Sequence, residues 1–254
     1  MLFAPVRCVN LLRVNLSHLR SQSLLRLGLA IILAGGILTL PSLAQNENES
    51  SQGISIKSLR QEANSKTQIV TARDSVQIYY PARQLQARAD FAQYFIKEQR
   101  MLLSGNVYVK QQGNTLQGET ITYTIRDGQF LVTPKQGEVV QSVYNAAPEG
   151  KPRQNMTIRS SRQEANSKTQ VIVAQDNVQL AYPTQNLRAR ADRVQFFGKE
   201  QRIVLSGSVV ALQKGNSIQG ETLTYSIKDG RFLALPKSGG TVNSIYVIPN
   251  DGNE

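Results

Sequence analysis

A chain of 254 residues with 40% hydrophobic and 19% charged side chains is long enough to bury a sizeable core and too apolar to be a disordered polymer. It carries 29 Lys and Arg against 18 Asp and Glu, for a formal charge of +11, with one Cys, one His and no Trp. A lone Cys excludes an internal disulfide, and one Cys with one His cannot build a Cys/His metal centre.

Residues 1–44 differ from all that follows. Arg7, Arg13, Arg20 and Arg26 are their only charged residues, the apolar run Leu27–Leu40 comes next, and Pro41-Ser42-Leu43-Ala44 ends the stretch. A basic region, an apolar region and small residues before a cleavage point define a signal peptide, with cleavage expected after Ala44. The apolar run is shorter than the ~20 residues a bilayer-spanning helix needs, which argues against a retained anchor. Cys8 lies inside the basic region, far from the cleavage point, and cannot be a lipidated residue. Cys8 and His18 would leave with this leader, so the exported chain holds no thiol nucleophile and no imidazole base. Four positive charges leave as well, taking the charge from +11 to +7. For an exported protein, that charge favours an anionic envelope component as partner and argues against nucleic acid.

Residues 45–53 are polar and are expected to be a flexible lead-in, and a tandem repeat follows. Arg60–Gln68 recurs unchanged as Arg162–Gln170. The same offset runs without a gap to Tyr144 and Tyr246, with roughly 50 of the 85 compared positions identical. The expected units are a first repeat over 54–144, a linker over 145–155 containing Pro148, Gly150 and Pro152, a second repeat over 156–247 and a polar tail over 248–254. Ile54, Leu85 and Leu116, and then Met156, Leu187 and Ile218, open stretches about 31 residues apart, which points to a hairpin as the ancestral piece.

Within each repeat the apolar residues alternate, and no window shows helical periodicity. The clearest hairpin is Thr120–Thr133 around Asp127-Gly128. A two-residue type I′ turn there would pair Ile125 with Phe130 and Tyr123 with Val132, and the second repeat would do the same around Asp229-Gly230. Pro134 and Pro236 should end their strands by removing a ladder donor. The segments 97–100 and 199–202 read as turns of wider hairpins, leaving Lys97, Arg100, Lys199 and Arg202 at turn tips, where they either are ordinary solvated charges or steer anionic headgroups.

Candidate chemistry is sparse. Asp90 with Glu119, or Asp192 with Glu221, could in principle act as paired carboxylates, but they fall on polar faces or turns. Ser104-Gly105-Asn106 and Ser206-Gly207-Ser208 have no base to activate a Ser and mark bends or bulges. No catalytic residue, metal ligand or cofactor is expected. One face of the strands gathers Val107, Val109, Ile121, Tyr123, Ile125, Phe130 and Val132, and in the second repeat Leu223, Tyr225, Ile227 and Phe232. Alternation alone cannot distinguish a packed core from a lipid-binding groove.

At Leu103-Ser-Gly-Asn-Val-Tyr-Val109 and Thr115-Leu-Gln-Gly-Glu-Thr-Ile-Thr-Tyr-Thr-Ile-Arg-Asp-Gly-Gln-Phe130 the chain resembles the LptA/OstA family of periplasmic lipopolysaccharide-transport proteins. The second repeat matches at Leu205–Val209 and Ile218–Phe232, with Ser208 in place of Asn106. The resemblance implies an all-β fold, an open twisted β-jellyroll of tandem hairpin repeats. It implies a non-enzymatic carrier whose groove, lined by the residues above, shields acyl chains of lipopolysaccharide or a similar glycolipid. Its implied partners are an inner-membrane export complex and an outer-membrane translocon, with head-to-tail self-association possible through strand edges at Ile54 and Ile56 and at Val242 and Ile245. The alternative is a structural or adhesive envelope protein with a filled interior.

Overall fold

A computed structural model describes residues 53–148 and 150–247; the expected signal peptide and C-terminal tail lie outside the described residues. The first repeat contributes β1 (Ser55–Lys57), β2 (Arg60–Asn64), β3 (Ile69–Tyr80), β4 (Leu85–Phe95), β5 (Arg100–Gln111), β6 (Asn114–Thr124), β7 (Gln129–Thr133) and β8 (Val140–Asn145). The second contributes β9 (Asn155–Ser160), β10 (Arg162–Asn166), β11 (Val171–Tyr182), β12 (Leu187–Phe197), β13 (Arg202–Gln213), β14 (Asn216–Ser226), β15 (Arg231–Leu235) and β16 (Asn243–Ile245). Short 3-10 turns at Pro81–Arg83 and Pro183–Gln185 are the helical pieces among the described residues.

All the strands join one 16-stranded antiparallel sheet. The long strands turn a corner near their middles. The register breaks between Arg73 and Val76 on β3, between Arg88 and Phe91 on β4 and between Ser104 and Val107 on β5. Asp74, Ser75, Gly105 and Asn106 have φ of 63°, 53°, 76° and 48°, so the bulged backbone bends each strand at that line. The corner divides the sheet into two walls. One half of each long strand runs beside β2, β7, β10 and β15, and the other half runs beside β1, β8, β9 and β16.

β6 shows how a strand serves both walls. Thr115–Gln117 pair with β8 and Thr120–Thr124 pair with β7, and Gly118 stands at the change of partner. A Cβ there would lie 2.7 Å from Val132 Cγ1 and 2.9 Å from the Thr133 carbonyl oxygen, so only Gly lets the walls diverge this tightly.

Side chains alternate between core and solvent, as on β12, where Leu187, Ala189, Ala191, Val194 and Phe196 are buried. One hydrophobic cluster runs from Ala72 in β3 to Ile227 beyond β14. The sequence left open whether the repeats make one roll or two. β7 pairs with β10 and β8 pairs with β9, so the sheet passes from one repeat to the next without interruption. It stays open at both ends, where β1 and β2 finish one side and β15 and β16 the other.

The Asp127-Gly128 turn differs from the expected two-residue turn. Tyr123 pairs with Phe130 and Ile121 with Val132, so the loop is Ile125–Gly128, four residues long. Gly128 takes a φ of 70° while Asp127 stays outside the left-handed region, so a type I′ turn, which needs positive φ at both residues, cannot form. Instead the Gly128 N–H donates to the Thr124 carbonyl at 2.9 Å. The slip is by two residues, so every side chain keeps its face and Ile125 remains buried within the turn. The same loop forms in the second repeat, where the Gly230 N–H donates to the Ser226 carbonyl at 2.9 Å. Strands β7 and β15 stop at Thr133 and Leu235, immediately before Pro134 and Pro236.

Candidate functional site: the interior and its joint

The interior is mostly apolar in both repeats. Val107, Val109, Ile121, Tyr123, Ile125, Phe130, Val132, Leu223, Tyr225 and Ile227 are all buried there, and Phe232 packs against them half-buried. Tyr123 stacks on Phe130 at 4.2 Å between ring centroids, and Tyr225 stacks on Phe232 at 4.5 Å. Within each repeat these side chains fill the space between the walls. A cavity of about 670 Å³ lies where the repeats meet, within the ~300–1,000 Å³ range of ligand sites. Val109, Leu116, Phe130, Tyr144, Ile172 and Phe196 form its apolar lining, while Asn114, Gln170, Lys199 and Gln201 supply polar atoms. A smaller hollow of about 220 Å³ lies at the C-terminal end, lined by Ala211, Gln213, Asn216, Ile218, Phe232 and Tyr246.

The joint contains a buried polar latch that sequence reasoning missed. Ser142 on β8, Ser160 on β9 and Gln163 on β10 are at most 1% exposed. The Ser142 hydroxyl donates to Gln163 Oε1 at 2.6 Å, and Gln163 Nε2 donates to the Ile158 carbonyl at 3.1 Å. Gln163 sits in the polar run Arg162–Asn166 and has the look of a surface residue. The signal available was the unchanged recurrence of that run. Its side chains also grip the preceding turn: Ser167 Oγ donates to the Gly128 carbonyl at 3.1 Å, Asn166 Nδ2 to the Asp127 carbonyl at 3.3 Å, and Lys168 Nζ to the Arg126 carbonyl.

Two polar atoms of cavity-lining residues, the Tyr144 hydroxyl and Gln201 Oε1, are buried without a hydrogen-bond partner. Burial pushes the Tyr144 phenol far above its usual range, and Tyr94, Tyr123, Tyr182 and Tyr225 are raised for the same first reason. Such atoms are costly unless a ligand or water meets them.

The charged candidates divide. Arg100 bonds Glu98 through Nε at 2.8 Å and lies over the Phe95 ring, and Arg202 bonds Glu200 at 2.9 Å and lies over Phe197. Both arginines are therefore committed to their own turns. Lys199 stands at the joint cavity and Lys97 on the equivalent first-repeat turn. Asp90 accepts from Asn106 Nδ2 at 2.8 Å and fills the space beside Gly105, a corner-bracing role; Asp192 fills the same space beside Gly207. Glu119 and Glu221 lie at the β6 and β14 corners. Among the described residues no group of three or more His, Cys, Asp or Glu could hold a metal ion, and no helix is long and apolar enough to cross a membrane.

At the ends, Ile54 and Ile56 pack half-buried on the core, with Ile56 opposite Ile78. Ile245 opposes Ser217 and is 69% exposed, and Val242 lies just outside β16. Leu233, Leu235 and Tyr246 are also exposed, which leaves an apolar C-terminal end.

The described residues thus form an open two-walled β-jellyroll with a largely apolar interior and sheet edges open at both ends. The family model described as LptA/(LptD N-terminal domain) LPS transport protein matches residues 45–129 and 154–231, and the chain belongs to that family. Among solved structures, the chain is similar to LptH, the LptA-homologous periplasmic component of the lipopolysaccharide transport device from Pseudomonas aeruginosa. The two share 16% identity over 78% of this chain and 96% of that one, with a TM-score of 0.26. No curated protein matches the chain.

Proposed function

We propose that this protein is a non-enzymatic periplasmic carrier, exported by its N-terminal leader, that shields the acyl chains of lipopolysaccharide or a similar glycolipid between an inner-membrane export complex and an outer-membrane translocon. The observation that carries this reading is the apolar interior that continues through both repeats and opens into the joint cavity. Each exposed methylene costs ~0.8 kcal/mol, so a twelve-carbon chain costs roughly 9 kcal/mol in water and needs such a lining. The packed interior within each repeat means that a chain enters at the joint or by parting the walls. The open strand edges at both ends support contact with partners by strand addition.

The filled stretches around Ile121 and Leu223 favour a second reading, a structural envelope protein. Photo-crosslinking separates the two. A benzophenone side chain at Phe130 or Tyr225 captures labelled lipopolysaccharide, whereas one at Thr122 or Thr124 on the opposite face does not; equal capture from both faces, or none, defeats the carrier reading.

A further inference from the structure

We infer that the outer face of the wall containing β8 and β9 is a docking surface for a linear polysaccharide that carries carboxylates, a partner separate from whatever the interior holds.

This wall is a ladder of twelve strands, from β1, β3, β4 and β5 through β6, β8, β9 and β11 to β12, β13, β14 and β16. Alternation sends Ile78, Ala87, Val109, Ile158, Leu180 and Ala189 inward, so the residues beside them face out. The register sets those outward residues in line across the ladder. Lys57 opposes Gln77, Gln77 opposes Arg88 and Arg88 opposes Tyr108. Further along the same line Gln141 opposes Arg159, Arg159 opposes Gln179 and Gln179 opposes Arg190. A parallel line two residues further from the corner holds Tyr79, Gln86, Lys110 and Arg188.

Six cations, Lys57, Arg88, Lys110, Arg159, Arg188 and Arg190, are exposed on these two lines, and neither line contains a carboxylate. Each ion pair among the described residues lies elsewhere. The nearest acids along the strands, Asp90, Glu119, Asp192 and Glu221, stand at the corner, where Asp90 accepts from Asn106. Arg159 Nε donates to Gln141 Oε1 at 2.9 Å, a contact that holds the guanidinium without neutralising it. On the opposite wall, Arg60, Arg100, Arg162 and Arg202 are each ion-paired with a carboxylate. A face of like charges with no counter-charge attracts a polyanion.

The shape and chemistry of the face select an acidic glycan. Twelve strands at ~4.8 Å each extend the line over about 50 Å, which suits a polymer. Successive strands rotate by roughly 20–25°, so a face this broad winds and cannot lay all its cations on a bilayer plane. Between the cations stand the amides of Gln77, Gln86, Gln141 and Gln179, with Tyr79, 50% exposed, and the half-buried Tyr108. An amide offers a donor and an acceptor to sugar hydroxyls, and an aromatic ring packs on the apolar face of a sugar. Charge complementarity to an acidic peptide requires neither. Four of the six cations are Arg, whose fork meets a carboxylate through two parallel N–H donors. None of these residues lines the joint cavity, so the glycan is a different molecule from an amphiphile held there.

The test measures anisotropy of fluorescein-labelled oligogalacturonate with the full chain. Added salt should weaken binding. Arg88→Gln, Arg159→Gln, Arg188→Gln and Arg190→Gln together should weaken it by roughly tenfold or more, because each lost charge is exposed and unpaired. Removing equal charge from the opposite wall, with Arg60→Gln, Arg100→Gln, Arg162→Gln and Arg202→Gln, should change it by less than about threefold. Tyr79→Ser with Tyr108→Ser keeps every charge and should still weaken oligogalacturonate by roughly threefold or more, leaving poly-glutamate binding unchanged. Equal losses in the two quadruple variants, or no loss in the first, overturn the docking surface. Poly-glutamate bound as tightly as oligogalacturonate makes the partner an acidic protein, and tighter binding to phosphatidylglycerol vesicles makes it a membrane; either result overturns the glycan. The carrier reading stands or falls separately, since no substituted residue belongs to the buried interior.

Discussion

The two Gln residues of the repeated nonapeptide allow a comparison in which sequence context is held constant and only tertiary position varies. Gln163→Ala removes the acceptor of the Ser142 hydroxyl at 2.6 Å and the donor to the Ile158 carbonyl at 3.1 Å, and leaves Ser142 with a 3.4 Å contact to that same carbonyl. Orphaning buried partners costs about 1–3 kcal/mol, and the lost packing adds to it, so a total of about 3 kcal/mol is expected. For a folded unit of this size, that lowers the Tm by roughly 6–12 °C. Gln61→Ala, in the identical run but exposed, should stay within about 0.5 kcal/mol at protein concentrations too low for association. Urea unfolding followed by circular dichroism at low micromolar concentration measures both. Equal losses at the two positions would refute the claim that the joint, and not the local sequence, gives this Gln its role.

Gly118→Ala should destabilise by about 1–3 kcal/mol, because the new Cβ meets both Val132 and the Thr133 carbonyl, and the urea midpoint reads the loss. Gly128→Ala should cost more than Gly230→Ala: both take positive φ, but the first Cβ would meet Ser167 Oγ at 2.8 Å while the second meets nothing, a difference visible in paired melts. The raised tyrosines set the alkaline limit. Their folded values lie above the unfolded 10.0, so their contribution is fully present below that value and is lost as pH rises through the folded values. Urea midpoints should therefore fall above about pH 10, and Tyr144→Phe should flatten that fall. Tyr144→Phe should also leave stability at neutral pH unchanged or slightly higher, since it removes a buried hydroxyl that has no partner.

Much of this protein is legible in its residues alone. Period-two alternation set the strands and their inward faces, because a strand has only two sides and the mismatched side would expose Ile121 or Leu223 to water. The duplication followed from the unchanged nonapeptide, and Pro134 and Pro236 marked their strand ends. The turn at Asp127-Gly128 went astray by two residues because alternation fixes a face and not a register, and only the loop's own backbone, with Gly128 alone in the left-handed region, decides which even offset forms. Whether the apolar face is filled was likewise a tertiary matter: it depends on the distance between two walls set by bulges at Asp74-Ser75 and Gly105-Asn106, each bracing a bend that no single strand reveals. The joint depended most on tertiary structure. Gln61 and Gln163 are the same residue in the same nine-residue context, and one is solvated while the other is buried, because only the second finds β7 and β8 of a preceding repeat against it.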